Sequence, residues 1–267
     1  MGITDEKHIH LVPGNHDLNR KKALRENNVR GIYPRYSQKI MDGDLDEAVL
    51  NSAEIKHLGS AFTFYRAVLE NLYSSDRAKR IWAAMQRNIH YYDVECNPYF
   101  NILCINTAIM SVEESEAEKG KLVVSHTHVH KALCEMKAAN PTDHKPVIVL
   151  AHHPLEHLHY SEQEQLKEKY FYDCGVYVYL SGHSHETSCS TKNSNYMFVT
   201  QGSLRTEKGA QIGFSIGKYN PSTKEIRIES YEYRDGSWGI NPHFGNTGGD
   251  RLTIRERKQT QMKQTCE

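Results

Sequence analysis

Apolar positions along this chain repeat in two ways. Short, nearly unbroken apolar runs occur at "HIHLV" (8–12), "NILCINTAIM" (101–110), "VIVLA" (147–151), "VYVYLS" (176–181) and "YMFVT" (196–200). Such runs, bounded by turn residues, predict strands, and the continuous ones predict strands covered on both faces. Residues 20 to 95 instead carry charge and apolar side chains at helical spacing. In "SAFTFYRAVLENLY", Phe62, Tyr65, Val68, Leu69 and Leu72 share one helical face, with Ser60 as the expected N-cap. A further helix is predicted after Ser125, and a shorter one in "SEQEQLKEKYF", where Ser161 and Glu164 have capping-box spacing. "QIGFSIGKY" and "EIRIESYEY" alternate apolar and polar residues around "NPST", the pattern of a hairpin with one wet face. Glycine and then charge dominate after residue 244, so 245–267 is expected to be a mobile tail following a domain spanning 1–244. No internal repeat or long low-complexity segment interrupts this order.

Composition narrows the classes. The 267 residues suffice for a sizeable core. Thirty-three basic side chains balance thirty-three acidic ones, so no overall field draws the molecule to nucleic acid or to a membrane, although a local basic channel stays open. No apolar run approaches the roughly 20 residues needed to cross a bilayer, and "MGITDEK" does not have the form of a signal peptide. The six cysteines are scattered without a CxxC pair, which argues against a zinc ribbon or a disulfide framework. Reduced thiols and a cytoplasmic location are therefore expected.

The chemistry lies where the apolar runs end. Asn15 and His16 follow the first run, His152 follows "VIVLA", and His183 and His185 follow "VYVYLS". Ligands collect beyond the carboxyl ends of strands in open α/β sheets, so loops distant in sequence can meet there. Imidazole suits zinc, iron and similar ions, and an amide oxygen suits harder ones such as manganese. Each piece has an ordinary reading too. "GNHD" contains good turn residues, and "HHP" alone is a weak signal. "GHSH" sets two imidazoles on one side of an extended segment. The ordered set, each member after a buried run, points to a metal site.

The order Gly14-Asn15-His16-Asp17, His152-His153-Pro154 and Gly182-His183-Ser184-His185 resembles the second half of the signature of calcineurin-like metallophosphoesterases. That resemblance implies an α/β fold of two packed sheets in a β-sandwich flanked by helices, with 20–95 as a helical insertion or cap. It implies Asn15, His152 and His183 as ligands of one divalent cation and His185 as a ligand of a second. His16 would face the phosphate and assist the leaving oxygen, Asp17 would orient His16, and His153 would occupy a variable, non-ligating position. Two cations about 3.5–4 Å apart would clamp a phosphate ester and acidify the attacking water.

The signature usually opens with Asp-x-His and Gly-Asp upstream of Gly-Asn-His-Asp, and the thirteen residues before Gly14 hold neither. Gly43-Asp44 does occur, but downstream, and Asp44 is read as a solvated carboxylate. Without the bridging carboxylate, neighbouring cations would repel each other. At most one manganese, zinc or iron ion is expected, with weak hydrolysis by this chain alone. A late start, a split gene or a partner polypeptide supplying the first strands would account for the pattern, and a degenerate pseudoenzyme is the other reading.

The remaining histidines are assigned more plainly. His8 and His10 alternate before the first motif and are not expected to substitute as ligands. His126, His128 and His130 are read as a solvated helix start, and His157 and His159 as candidates to line a substrate mouth. Arg20 is a candidate phosphate contact. Two functions remain. One is a metal-dependent phosphoesterase acting on a phosphodiester, such as a nucleotide or nucleic acid. The other is a non-catalytic metallophosphoesterase-like subunit or sensor of a larger assembly.

Overall fold

The computed structural model describes residues 5–30, 32, 35, 51–88, 90–93, 98–112, 118–139, 145–192, 196–202, 212–245 and 249–253. Asp44 lies outside them. Strands β1 (His90–Asp93), β2 (Asn101–Ile105), β3 (Val147–Ala151), β4 (Val176–Ser181), β5 (Ser188–Lys192) and β6 (Tyr196–Thr200) form a six-stranded sheet in the order β1-β2-β3-β4-β6-β5. Neighbours among β2, β3, β4 and β6 are parallel, and β1 and β5 close the two edges antiparallel. The parallel set brings the carboxyl ends of β2, β3 and β4 to one edge of the sheet.

A second, antiparallel sheet holds β7 (Gly213–Asn220), β8 (Glu225–Arg234), β9 (Ser237–Ile240) and β10 (Gly249–Thr253). The predicted hairpin is β7 with β8, and the Asn220 side chain accepts from Ser222 N and Thr223 N at its turn. Ile226 and Ile228 of β8 meet Val178, Val199 and Phe244 in an apolar seam. Helices α1 (Arg20–Arg30), α2 (Ser52–Gly59), α3 (Thr63–Leu72), α4 (Ser75–Arg87) and α5 (His126–Ala139) flank the sheets. A larger core joins Ile55, Phe62, Leu69 and Ile81 of the α2–α4 region to Val129, Leu133, Leu103 and Val149. This is the two-sheet α/β arrangement flanked by helices that the sequence implies.

Local details differ from expectation, each for a physical reason. "HIHLV" is no strand. Glu6–His8 is a single 3-10 turn, and residues 9–14 run on without ladder pairing. The exposed carbonyls are met by side chains instead. Tyr65 Oη and Tyr91 Oη both donate to Leu11 O at 3.0 Å, and Tyr73 Oη donates to Ile9 O at 2.9 Å. Burial raises the Tyr73 phenol to about 12, so it remains a donor. The apolar face of α3 is narrower than its spacing suggests, since Val68 and Leu72 are exposed while Tyr65 and Leu69 are buried. Ser60 closes α2 rather than opening α3, with its N–H and hydroxyl both bonded to His57 O.

Helix α6 (Tyr160–Glu164) starts one residue before the expected capping box. The His159 ring caps it by accepting from Ser161 N at 3.4 Å, and the chain continues in π-helical turns over Gln165–Phe171. The histidines opening α5 are not a solvated face. His126 is buried with Nδ1 3.4 Å from Glu162 Oε1, and His130 stacks on Tyr170 with ring centroids 4.1 Å apart. Within the expected tail, Gly249–Thr253 pairs with β8 as β10. Cys174 is a free thiol, but Cys134 is disulfide-bonded, against the expectation of reduced thiols throughout. Sequence spacing does not disclose which sulphurs meet in space.

One buried histidine makes stability depend on pH. His90 opens β1 at 4% exposure, and its Nδ1 has no hydrogen-bond partner among the described residues. Burial, with His128 and Lys131 adding to it, pulls its pKa down to about 3. The folded state therefore holds the neutral ring, while the unfolded chain takes a proton below about pH 6.5. Folding stability from this group is full above that value and declines as pH falls, by roughly 2 kcal/mol between pH 7 and 5. Urea unfolding of the wild type and His90→Phe at both pH values should show that difference. Equal acid losses in the two proteins would dismiss His90 as its source.

Candidate metal centre

Four loops converge at the carboxyl edge of the six-stranded sheet. The first is the turn at Asn15–Asp17. It is closed at both ends, with Asp17 N donating to Gly14 O at 3.0 Å and Gly14 N donating to Asp17 Oδ2 at 2.8 Å. Asp17 thus fixes the loop carrying Asn15. A Cβ at Gly14 would lie 2.9 Å from Cε1 and Nδ1 of His152, so only glycine lets this backbone approach the imidazole.

The second and third loops follow β3 and β4. Gly182 N donates to His152 O at 2.9 Å and ties them together. Ser184 N reaches back to Gly182 O at 2.9 Å, and His183 and His185 both adopt positive φ, 72° and 57°. Left-handed backbone at two non-glycine residues is costly and persists where surrounding contacts enforce it. The fourth loop follows β2, where Thr107 is buried.

The side chains meet closely. His152 Nε2 lies 3.0 Å from Asn15 Oδ1 and 3.2 Å from His183 Nδ1. Asn15 is buried, His152, His183 and His185 are half-buried, and His16 is exposed. The structure therefore brings together three residues that are 137 and 31 positions apart in sequence. Burial depresses His152 to about 3, with the neighbouring His183, His16, His185 and His157 adding to it. Burial likewise lowers His183 to about 4, and His157, His185, His16 and Arg20 reinforce the effect. His16, His185 and Arg20 are thus close enough to act electrostatically on the cluster. Its core imidazoles are neutral at pH 7, the form that ligates metal.

Sequence reasoning missed two neighbours. His153 is fully buried, and its ring centroid lies 4.3 Å from that of His183. A donor atom from each of His152, His153 and His183 falls within 4.8 Å of the others. His157 is buried as well, with its ring edge-on to His183 at 4.7 Å, so it supports the cluster rather than lining a mouth. His159 is directed to its helix cap. The signals available were the paired histidines of "HHP" and the recurrence of histidine four residues later. An amide oxygen with several neutral imidazoles fits one borderline divalent cation. Among the described residues, neither group of three close donors includes a carboxylate.

Comparison with known proteins adds the following. Residues 2–187 match the profile of the calcineurin-like phosphoesterases. A curated relative, the "Uncharacterized metallophosphoesterase-like protein YydB" of Bacillus subtilis (strain 168), is 27% identical over 261 residues, 94% of this chain and 49% of that protein. The chain thus spans about half the length of the curated relative it matches. Among solved structures, a dimetal phosphatase from Danio rerio aligns with a TM-score of 0.41 and 14% identity, covering 75% of this chain and 70% of that one. GAP50, titled the anchor in the inner membrane complex of Plasmodium, aligns with a TM-score of 0.40 and 15% identity, covering 67% of this chain and 58% of that one. No helix among the described residues is long and apolar enough to cross a membrane.

Proposed function

Since the chain belongs to the calcineurin-like phosphoesterase family, a family of metal-dependent phosphoesterases, we propose that it binds a divalent cation through Asn15, His152 and His183 and acts on a phosphodiester. The observation that carries this reading is the meeting of Asn15 Oδ1, His152 Nε2 and His183 Nδ1 within 3.2 Å steps, from three loops far apart in sequence. His185, near enough to act electrostatically on His152 and His183, is the candidate ligand of a second cation. A bound cation would polarise a phosphoryl oxygen and acidify a water. The chain's own residues do the rest. Asn15, buried and held by the Gly14–Asp17 turn, sets the position of His152. His16, exposed on the same turn, is placed to give a proton or hydrogen bond to a departing alkoxide. Arg20, near enough to act on His183, is the candidate phosphate contact.

Charge favours a diester. The core imidazoles are neutral, and Arg20 adds a positive charge near His183. A singly charged phosphodiester asks for less compensating charge than a dianionic monoester. Manganese suits the amide oxygen and zinc or iron the imidazoles. The donor set also favours a reduced activity, because among the described residues no carboxylate stands with the close donors to screen a second cation. A carboxylate brought by a partner polypeptide would relieve that repulsion. A purely non-catalytic subunit remains the second reading on the same observation.

Titration of the purified chain with Mn²⁺ and Zn²⁺, followed by turnover of bis(p-nitrophenyl) phosphate and p-nitrophenyl phosphate, tests both readings. One cation per chain, with slow turnover of the diester in preference to the monoester, is the expected result. Stoichiometric binding with no turnover selects the non-catalytic reading. Failure to bind either cation removes the metal centre altogether.

A further inference from the structure

We infer that His153, which the family resemblance leaves as a variable non-ligating position, is a third imidazole ligand of this centre. The inference rests on the metal-centre reading above. It extends the chain's own donor set to Asn15, His152, His153 and His183.

His153 is 0% exposed. Its backbone N–H donates to Thr107 Oγ1 at 3.0 Å, and its Nδ1 lies 3.0 Å from the same oxygen. With Nδ1 engaged there, the remaining ring nitrogen is Nε2. That atom is buried and has no hydrogen-bond partner among the described residues. Buried polar atoms are normally paired, and one left over asks for a ligand, a water or an ion. The surroundings answer that question. The rings of His152 and His183 lie 4.7 and 4.3 Å from that of His153, centroid to centroid. One donor atom from each of the three falls within 4.8 Å of the others.

The arrangement has the usual logic of a histidine ligand. One ring nitrogen is held by an oxygen outside the site, which fixes the tautomer and turns the other toward the cation. Thr107, in the loop after β2, supplies that oxygen and is a positioning residue. Tyr179 Oη donates to His153 O at 2.8 Å and fixes the backbone behind the ring. Three imidazoles and an amide form a neutral set of four donors suited to a single borderline divalent cation. Such a site needs no bridging carboxylate.

Cobalt binding by the full chain tests this. Co²⁺ alone would be titrated into the wild type, His153→Phe, Thr107→Val and His152→Ala, with affinity and visible d–d absorption as readouts and circular dichroism as the check on folding. His153→Phe should weaken Co²⁺ by more than about 10-fold and change the d–d spectrum. Thr107→Val, which keeps the shape and removes the oxygen, should weaken it by about 10–100-fold, the usual effect of losing an outer partner of a metal ligand. A merely structural His153 would change the melting temperature and leave affinity and spectrum alone. A folded His153→Phe with wild-type affinity overturns the inference while leaving the metal centre standing, provided His152→Ala loses Co²⁺. If His153→Phe does not fold, an unchanged Thr107→Val overturns it. If the wild type binds no Co²⁺, this inference and the metal-centre reading fall together.

Discussion

Replacing His152 with alanine is expected to abolish divalent-cation binding and any phosphodiester turnover while leaving the fold in place. His152 is the hub of the cluster, because its Nε2 alone contacts both Asn15 Oδ1 at 3.0 Å and His183 Nδ1 at 3.2 Å. Losing an outer partner of a ligand costs about 10–100-fold in metal affinity, and removing the ligand itself should cost more. The fold should tolerate the change. The ring is half-buried, it sits in a loop after β3, and the backbone contact from Gly182 N to His152 O does not involve the side chain. A destabilisation of roughly 1–2 kcal/mol is expected, within the ordinary range for a point substitution. Calorimetric titration with Mn²⁺ and a thermal melt without metal separate the two effects. Unchanged Mn²⁺ affinity in a folded His152→Ala protein would contradict the assignment of the cluster.

Much of this site is legible in the sequence because its residues sit at strand ends, and strand ends are visible as breaks in apolar runs. In "VIVLAHHP" and "VYVYLSGHSH" the apolar pattern by itself puts His152 and His183 just past the ends of buried strands, and those strands are parallel neighbours. The remainder depends on contacts that local pattern does not encode. "HIHLV" alternates as a strand should, but a strand also needs a neighbour to pair with. Here the carbonyls meet tyrosines 54 to 80 residues away, so the same pattern yields an extended segment clamped by side chains. His153 looks like a spare beside His152 until Thr107, 46 residues earlier, is seen holding its ring. The α5 histidines look exposed from their spacing and are buried because Tyr170 and Glu162 come over them from later in the chain. Periodicity reports which face of an element is apolar, and it is silent about what arrives from elsewhere to cover the other face.

Replacing Arg77 should produce the largest loss of stability, because one buried cation holds the segment that leads to Asn15. Arg77 lies near the start of α4 at 6% exposure. Its guanidinium donates to Glu6 O, to Ile9 O at 3.1 Å and to Lys7 O at 3.4 Å, and it sits 4.7 Å over the Tyr73 ring. Glu6 reciprocates by accepting from Ser74 N and from Ser74 Oγ at the helix N-terminus, where Ser74 itself makes no side-chain cap. The segment from Glu6 to Val12 has no ladder to fall back on, so these contacts and the tyrosine hydroxyls fix its backbone while Ile9, Leu11 and Val12 pack on the core. Arg77→Met keeps much of the apolar stem and removes every donor, leaving carbonyls that α4 had satisfied. A loss of about 3 kcal/mol follows for the charged hydrogen bonds and the stranded acceptors. For a chain of this size that corresponds to a fall of roughly 6–12 °C in Tm. Because the same segment runs directly into Gly14 and Asn15, metal affinity should fall as well, and Arg77→Lys, with one donor group restored, should recover part of both. An Arg77→Met protein that melts within a degree or two of wild type would mean that the tyrosine hydroxyls hold the segment without it.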